Sequence, residues 1–188
     1  MNRISLKTVL GDKNLSLRPL PSQTINLDYL ANMADDYEIA KYVGPRFPNP
    51  YTRKDSSDFL NFSRESWNSG KEYNFGIFIQ KGKYIGNIGI VPDYDNNIIS
   101  NLGYWLSKKY EGNGYMTRSV FLMTEFIFNN LNFRKIEANV YEGNIGSTFV
   151  LKKNGFSEEG ILKSHVRLID GTILDKILFG KINPNNSF

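Results

Sequence analysis

The 188-residue sequence predicts one α/β domain, residues 1–188, in which about seven mostly antiparallel strands form a central sheet with four or five helices around it. Three observations carry that prediction. At 188 residues, 40% of them hydrophobic and 14% aromatic, the chain suits one core and leaves no length for a second domain. The apolar period changes from helical to twofold near Tyr73 and returns to helical after Gly114. Turn residues separate the periodic runs at the spacing of hairpins and strand-helix junctions.

Element by element, "ISLKTVL" and "LSLRPL" flank the turn "GDKN" and read as an opening hairpin, or as a short arm leading into a first strand that ends at Leu20. In "TINLDYLANMADDYEIAKYV" apolar residues recur at spacings of three and four, which predicts two short helices. "GPRFPNPY" holds three prolines in eight residues and must be a loop. Thr52 and Asp55 form a capping box ahead of a helix that Gly70 stops.

"YNFGIFIQ", "YIGNIGIV" and "IISNLGYWL" then alternate as three strands joined by "KGK" and "PDYDNN", an antiparallel meander. "MTRSVFLMTEFIFNNL" is apolar almost all round and predicts a helix buried against the sheet. "KIEANVY" is a strand, "STFVLKKNG" a short helix with Gly155 at its C-cap, and "FSEEGILKSHVRLI" and "TILDKILFGKI" are two last strands joined by the turn "DG". The tail, residues 183–188, reads as frayed.

Composition excludes several functions. The chain has no cysteine, and His165 is its one histidine, so neither a thiolate nor a histidine metal site is expected. The N-terminus lacks the apolar core of a secretory signal and no run approaches the roughly 18 apolar residues of a membrane span, which predicts a soluble, cytoplasmic protein. The 23 basic and 19 acidic residues leave a net charge of +4. Because the basic residues are scattered, with pairs at Lys108 and Lys152, a nucleic-acid reader is not expected.

The stretch "YWLSKKYEGNGYMTRSV" carries the chemistry. Gly112 and Gly114 let successive backbone N–H groups turn inward, and a helix starting near Met116 adds unpaired N–H groups and a positive dipole end, a site for an anion such as a pyrophosphate. A tight turn that needs small residues would have the same sequence. Neither G-x-G-x-x-G, which requires Gly where Thr117 stands, nor G-x-x-x-x-G-K-[ST] is present.

With its flanks, "LGYWLSKKYEGNGYMTRSV" resembles the strand, loop and helix of the GNAT superfamily of acetyl-CoA-dependent N-acetyltransferases, whose loop pattern is Q/R-x-x-G-x-G/A. "YEGNIGSTFVLKKNGFSEEGILK" and "DGTILDKILFGKI" are similar to the ribosomal-protein N-terminal acetyltransferases of the RimJ/RimL type, and the resemblance runs from Leu17 to Ile182. Glu111 departs from the pattern at the Q/R position and Met116 at the final G/A position, while Gly114 keeps the required glycine. Met116 is tolerable if it points into the core, and Glu111 is expected to face solvent.

The resemblance implies a splayed sheet with acetyl-CoA as co-substrate. It implies that Gly112, Asn113, Gly114, Tyr115, Met116 and Thr117 wrap the pyrophosphate, and that Trp105, Leu106 and Ser107 run beside the pantetheine arm. It also implies that Asn144 holds the cofactor and that Ser147 gives a proton to the leaving thiolate. Taken alone, Trp105 and Leu106 would be core residues, and Asn144 and Ser147 the ordinary start of a short helix.

Acetyl transfer needs an amine that sheds a proton, donors for a tetrahedral oxyanion, and an acid for the thiolate. Backbone N–H groups of Leu106 or Ser107 are the candidates for the oxyanion. Where related enzymes are thought to place a basic carboxylate, this sequence has Val166, and strand alternation turns His165 and Arg167 to the opposite face. Glu142, Tyr104 and a base acting through water are the alternatives.

The acceptor implied is a protein or peptide α-amine, with ribosomal-protein N-termini among the candidates. A polyamine or an aminoglycoside is the alternative substrate, and a silent CoA-binding sensor or partner module the alternative function. The segment expected to line the acceptor side mixes Asp35, Asp36 and Glu38 with Lys41, Arg46, Arg53 and Lys54. Monomer and homodimer are both open.

Overall fold

The computed structural model describes residues 3–44, 47–168 and 170–185. The opening hairpin forms around the expected turn but is shorter than expected: of "ISLKTVL" only Leu10 joins a strand, the two-residue β1, Leu10–Gly11, which pairs antiparallel with β2, Leu15–Pro19. Asp12 shapes the turn, its Oδ1 accepting from the N–H groups of Asn14 at 2.7 Å and Leu15 at 3.2 Å. β2 stops at Pro19, one residue before Leu20, where a short 3-10 turn takes over.

The two short helices are α1, Leu27–Ala34, and α2, Tyr37–Val43. Each starts on a side-chain cap: Asn26 accepts from the Tyr29 N–H at 2.9 Å and Asp36 from the Glu38 N–H at 2.8 Å. In the proline-rich loop that follows, Pro45 and Arg46 lie outside the described residues. The capping box of α3, Arg53–Ser69, forms as expected, with the Thr52 N–H donating to Asp55 at 2.8 Å, and Gly70 ends the helix at φ 73°.

The meander follows as β3, Tyr73–Ile79, β4, Lys83–Asp93, and β5, Ile98–Leu106. Helix α4, Tyr115–Asn129, leads to β6, Lys135–Tyr141, then α5, Ile145–Lys153, and the closing hairpin of β7, Ser157–Arg167, and β8, Ile173–Ile182. Together the strands make one eight-stranded sheet in the order β1-β2-β3-β4-β5-β6-β8-β7, with β5 and β6 parallel and the other neighbours antiparallel. The short β1 is the strand beyond the expected seven.

Three local expectations need correction. Helix α4 buries Met116, Val120, Met123 and Ile127 but leaves Phe121 51% exposed, so it is covered on one side rather than all round. The C-cap of α5 is Asn154, and Gly155, at φ 77°, stands one residue beyond it, where a left-handed residue is most favoured. Asn183 is buried, its side-chain amide donating to the carbonyl of Phe133 at 3.0 Å, so ordered chain extends into the expected frayed tail; residues 186–188 lie outside the described residues.

The sheet has a core on each face. Under α4 and α5 lie Ile88, Ile90, Leu102, Leu106, Ile136 and Val140; on the other face Phe78, Tyr84 and Trp105 pack with Leu30 of α1 and with Tyr51. Along β5, side chains therefore alternate between the two.

Between β5 and β6 the sheet splits. Their ladder consists of two pairs, Ile98 with Lys135 and Ile99 with Ile136, after which β6 continues on β8. The cause lies one strand away. Pro92 brings no N–H to the ladder, and the β4–β5 register shifts there, with Ser100 as the extra residue, its hydroxyl donating to the Val91 carbonyl at 3.0 Å. Such a bulge raises the local twist and swings the rest of β5 away from β6. At the root of the split the Asn139 side-chain amide donates to Asn101 Oδ1 at 3.2 Å.

Close strand approach matters at Gly86, where a Cβ would lie 2.4 Å from the Trp105 carbonyl oxygen and 3.0 Å from the Leu106 Cα. Both obstacles are backbone, so neither can rotate away. Gly86→Ala should cost about 1–3 kcal/mol as overpacking, read as a lower urea midpoint; an unchanged midpoint would mean that β5 yields without cost.

Candidate active site

Past the end of β5 a short 3-10 turn, Lys108–Tyr110, leads into the two glycines. Gly112 and Gly114 each adopt φ 74°, a conformation that L side chains rarely take, and Gly114 is the N-cap of α4. A Cβ at either position would meet nothing within 4 Å, so glycine is required by conformation and the space over the turn is open.

The N–H of Glu111 goes to the Lys108 carbonyl at 3.2 Å and that of Arg118 to the Gly114 carbonyl at 3.0 Å. Between them, the N–H groups of residues 112–117 find no acceptor among the described residues. A helix start accounts for the last four, and the glycine turn adds two more. This donor set beside open space fits a pyrophosphate, which supplies several acceptor oxygens to a helix N-terminus.

The side chains of the turn stay out of that space or brace it. Asn113 folds back, its amide donating to the carbonyls of Tyr110 at 3.3 Å and Glu111 at 2.9 Å. Met116 is buried in the core and Glu111 is exposed, as the departures from the loop pattern required. Tyr115 packs on the core, and the Thr117 carbonyl accepts from the Asn154 side chain at 3.2 Å, tying the first turn of α4 to the end of α5.

At the end of β5 the three expected residues separate. The Ser107 N–H donates to the Ile85 carbonyl at 3.0 Å and is not available to an oxyanion. Trp105 pairs with Asn87 and packs between Phe47 and Tyr84, at centroid distances of 6.4 Å and 6.1 Å, as a core residue would. Alternation in an antiparallel ladder then turns the N–H groups of Leu106 and Tyr104 away from β4, toward the split. The free edge is thus carried by Tyr104 and Leu106.

Tyr104 also spans the split by its side chain, its hydroxyl donating to the Ser147 carbonyl at 3.4 Å. Burial pushes that hydroxyl well above the ordinary tyrosine range. It stays protonated at neutral pH. Ser147 stands half-buried in the first turn of α5, where its N–H donates to Asn144 Oδ1 at 3.0 Å. That bond gives Asn144 a complete role as a helix cap.

Glu142 does not converge with them. It is exposed and turned to β8, accepting from the Asp175 N–H at 3.3 Å. His165 and Arg167 are exposed and Val166 is buried, as alternation required. The strand bulges here around Ser164, at φ 48°, whose N–H donates to Asp175 at 2.8 Å. The Lys163 ammonium, bonded to Asp175 at 2.7 Å, holds that carboxyl below its usual range.

Facing the split from the other side, the end of α2 meets the end of β6: a Cβ on Gly143 would lie 3.2 Å from the Tyr42 hydroxyl. The Tyr37 hydroxyl donates to Asp170 at 2.9 Å, joining α2 to the β7–β8 turn. Sequence reasoning missed Tyr37, Asp170, Asn101 and Asn139, because nothing local marks a pair 133 or 38 residues apart. Several charges expected to line this side are engaged: Asp35 accepts from the Tyr51 N–H at 2.8 Å, Asp36 caps α2, Arg53 pairs with Asp28 and Lys54 with Asp58.

The model of the acetyltransferase (GNAT) domain family matches residues 14–157. The chain is 30% identical over 182 residues to the probable N-acetyltransferase YjcK of Bacillus subtilis, covering 95% of this chain and 99% of that one. The crystal structure of the ribosomal-protein-S5-alanine acetyltransferase of Vibrio fischeri superposes with a TM-score of 0.79 at 22% identity, over 97% of this chain and 100% of the other. Mycobacterium smegmatis RimJ, in complex with CoA-disulfide, gives a TM-score of 0.80 at 20% identity, over 96% and 90%.

Proposed function

Because this chain belongs to the GNAT family of acetyltransferases, which draw on acetyl-CoA, we propose that it acetylates the α-amino group of a protein or peptide. The observation that carries the reading is the free edge of β5 at Tyr104 and Leu106, which opens into the split directly before six unpartnered N–H groups at residues 112–117. The N–H groups of residues 112–117 hold the pyrophosphate, and those of Tyr104 and Leu106 receive the carbonyl oxygen as negative charge develops on it. As the amine nitrogen bonds to the acyl carbon and the C–S bond breaks, a hydroxyl of Tyr104 or Ser147 protonates the sulfur. The proton lost by the amine passes through water and restores that hydroxyl.

The acceptor class follows from the candidate bases: Glu142 is engaged with the Asp175 N–H and His165 stands exposed on β7. An α-amine, with a pKa near 8, is freed far more easily than a lysine side chain near 10.4, so water suffices to take its proton. A polycation would require a strongly acidic entrance, whereas this side mixes Asp35, Asp36 and Glu38 with Lys41, Arg53 and Lys54. The Vibrio fischeri neighbour is named for a ribosomal-protein alanine, which supports the same class.

CoA thiol release, followed in parallel with N-terminal peptides, spermidine and an aminoglycoside, checks this. The highest kcat/KM is expected for a peptide. A value for spermidine or the aminoglycoside above that of every peptide would overturn the assignment.

A further inference from the structure

We propose that Asn101 and Asn139, at the root of the split, read the first peptide bond of the acceptor; this rests on the α-amine reading above and sharpens it. The two side chains already bond to each other, Asn139 Nδ2 donating to Asn101 Oδ1 at 3.2 Å. That contact uses one group of each amide. Asn101 Nδ2 and Asn139 Oδ1 have no other partner among the described residues, so one donor and one acceptor are left over at the root of the split. A peptide bond presents the matching pair, a carbonyl and an N–H.

Access is available from one face. Asn101 alternates with Leu102, and Asn139 with Ala138 and Val140, all three buried in the core under α4 and α5, so both asparagines lie on the opposite face. There Asn139 is exposed, and Asn101 and Gly103 are half-buried. A Cβ on Gly103 would meet Asn101 Nδ2 at 3.5 Å and nothing else within 4 Å, so the donor overlooks open space above bare backbone. Tyr104 turns its side chain to the other face, toward α5. An acceptor lying on Gly103 would therefore meet the split from the side away from the proton donors.

The spacing suits one residue. Asn101 and Tyr104 lie about 10 Å apart along the strand. One extended acceptor residue covers about 3.5 Å, its reacting amine needs about 3 Å to the acyl carbon, and a hydrogen bond to the asparagine about 3 Å more. A polyamine has neither a carbonyl nor an amide N–H at that distance, so this pair would favour peptides over simple amines.

The test compares alanine N-methylamide with alanine methyl ester, which keeps the carbonyl but lacks the N–H. Each is assayed with wild type, Asn101→Ala and Asn139→Ala, and acetyl-CoA affinity is measured by calorimetry to show that the variants fold and that the split is intact. Asn139→Ala should raise KM for the amide about 3- to 10-fold, the range for one neutral hydrogen bond, and leave the ester unchanged. Asn101→Ala should raise both. Equal effects of Asn139→Ala on amide and ester, no effect on either, or weakened acetyl-CoA binding in both variants would each overturn the proposal. A wild type that acetylates spermidine but no peptide or amide would refute the α-amine reading itself, a result that needs no variant.

Discussion

Gly114→Glu should abolish the stabilisation that acetyl-CoA gives the wild-type protein. Gly114 sits at φ 74° and ψ 2° as the N-cap of α4, and a side chain there would grow into the open space above the unpartnered N–H groups. Two effects then add. The left-handed backbone costs an L residue about 1–2 kcal/mol, which lowers the melting temperature of the free protein. The glutamate carboxylate also competes for the N–H groups that phosphate oxygens would occupy. Hydrogen bonds to charged groups contribute about 1.5–3 kcal/mol each, so losing two should weaken acetyl-CoA binding by about 100-fold or more. Thermal shifts at a series of acetyl-CoA concentrations separate the effects, since the backbone cost moves the baseline and the binding loss removes the ligand-dependent rise. An equal rise in wild type and Gly114→Glu would remove the glycine turn as the phosphate site.

The course of the chain was readable wherever local chemistry dictates local geometry. The capping box at Thr52 and Asp55, the stop at Gly70 and the twofold alternation of β3, β4 and β5 each follow from residues within a few positions of one another. "ISLKTVL" misled in its length, because ahead of Leu10 its alternation pairs with no strand: Ile4 is buried and its carbonyl accepts from the Trp67 indole at 3.2 Å, so tertiary packing overrides the pattern. In α4, an apolar composition around the whole helix hid the fact that one sheet face covers one side of it.

Parity explains what was missed at the site. Sequence could point to the strand end at 105–107, but which of those N–H groups faces the split depends on the ladder register, and a shift of one residue reverses the answer. The register commits Ser107 to Ile85 and frees Leu106. Tyr104 shows the same limit in its chemistry. Its sequence context said nothing of where its hydroxyl reaches, whereas the fold buries it and sets it against the Ser147 carbonyl. Asn101 and Asn139 are ordinary strand residues until the split brings them together.

Removing the Tyr104 hydroxyl is the sharpest probe of the chemical step. Tyr104→Phe keeps the ring against the core and deletes the group that donates to the Ser147 carbonyl. That bond is long, at 3.4 Å, so its loss should cost little stability. A proton donor acts mainly in the transition state, so kcat should fall while acetyl-CoA affinity stays within a few-fold. The drop expected for one general acid that water can partly replace is about 10-fold to 1,000-fold, and Ser147→Ala should fall in the same range. Because Tyr104 donates to the Ser147 carbonyl and not to its hydroxyl, the two hydroxyls do not form a relay. As independent routes to the sulfur, they predict that the double variant is slower than either single one. The pH profile carries a second signature. With the Tyr104 hydroxyl raised above its ordinary range by burial, wild-type kcat/KM should climb as the acceptor amine deprotonates near pH 8 and show no decline up to about pH 10. An alkaline limb below pH 10 that disappears in Tyr104→Phe would show the hydroxyl titrating in the ordinary range, and unchanged kcat in that variant would leave Ser147 as the donor.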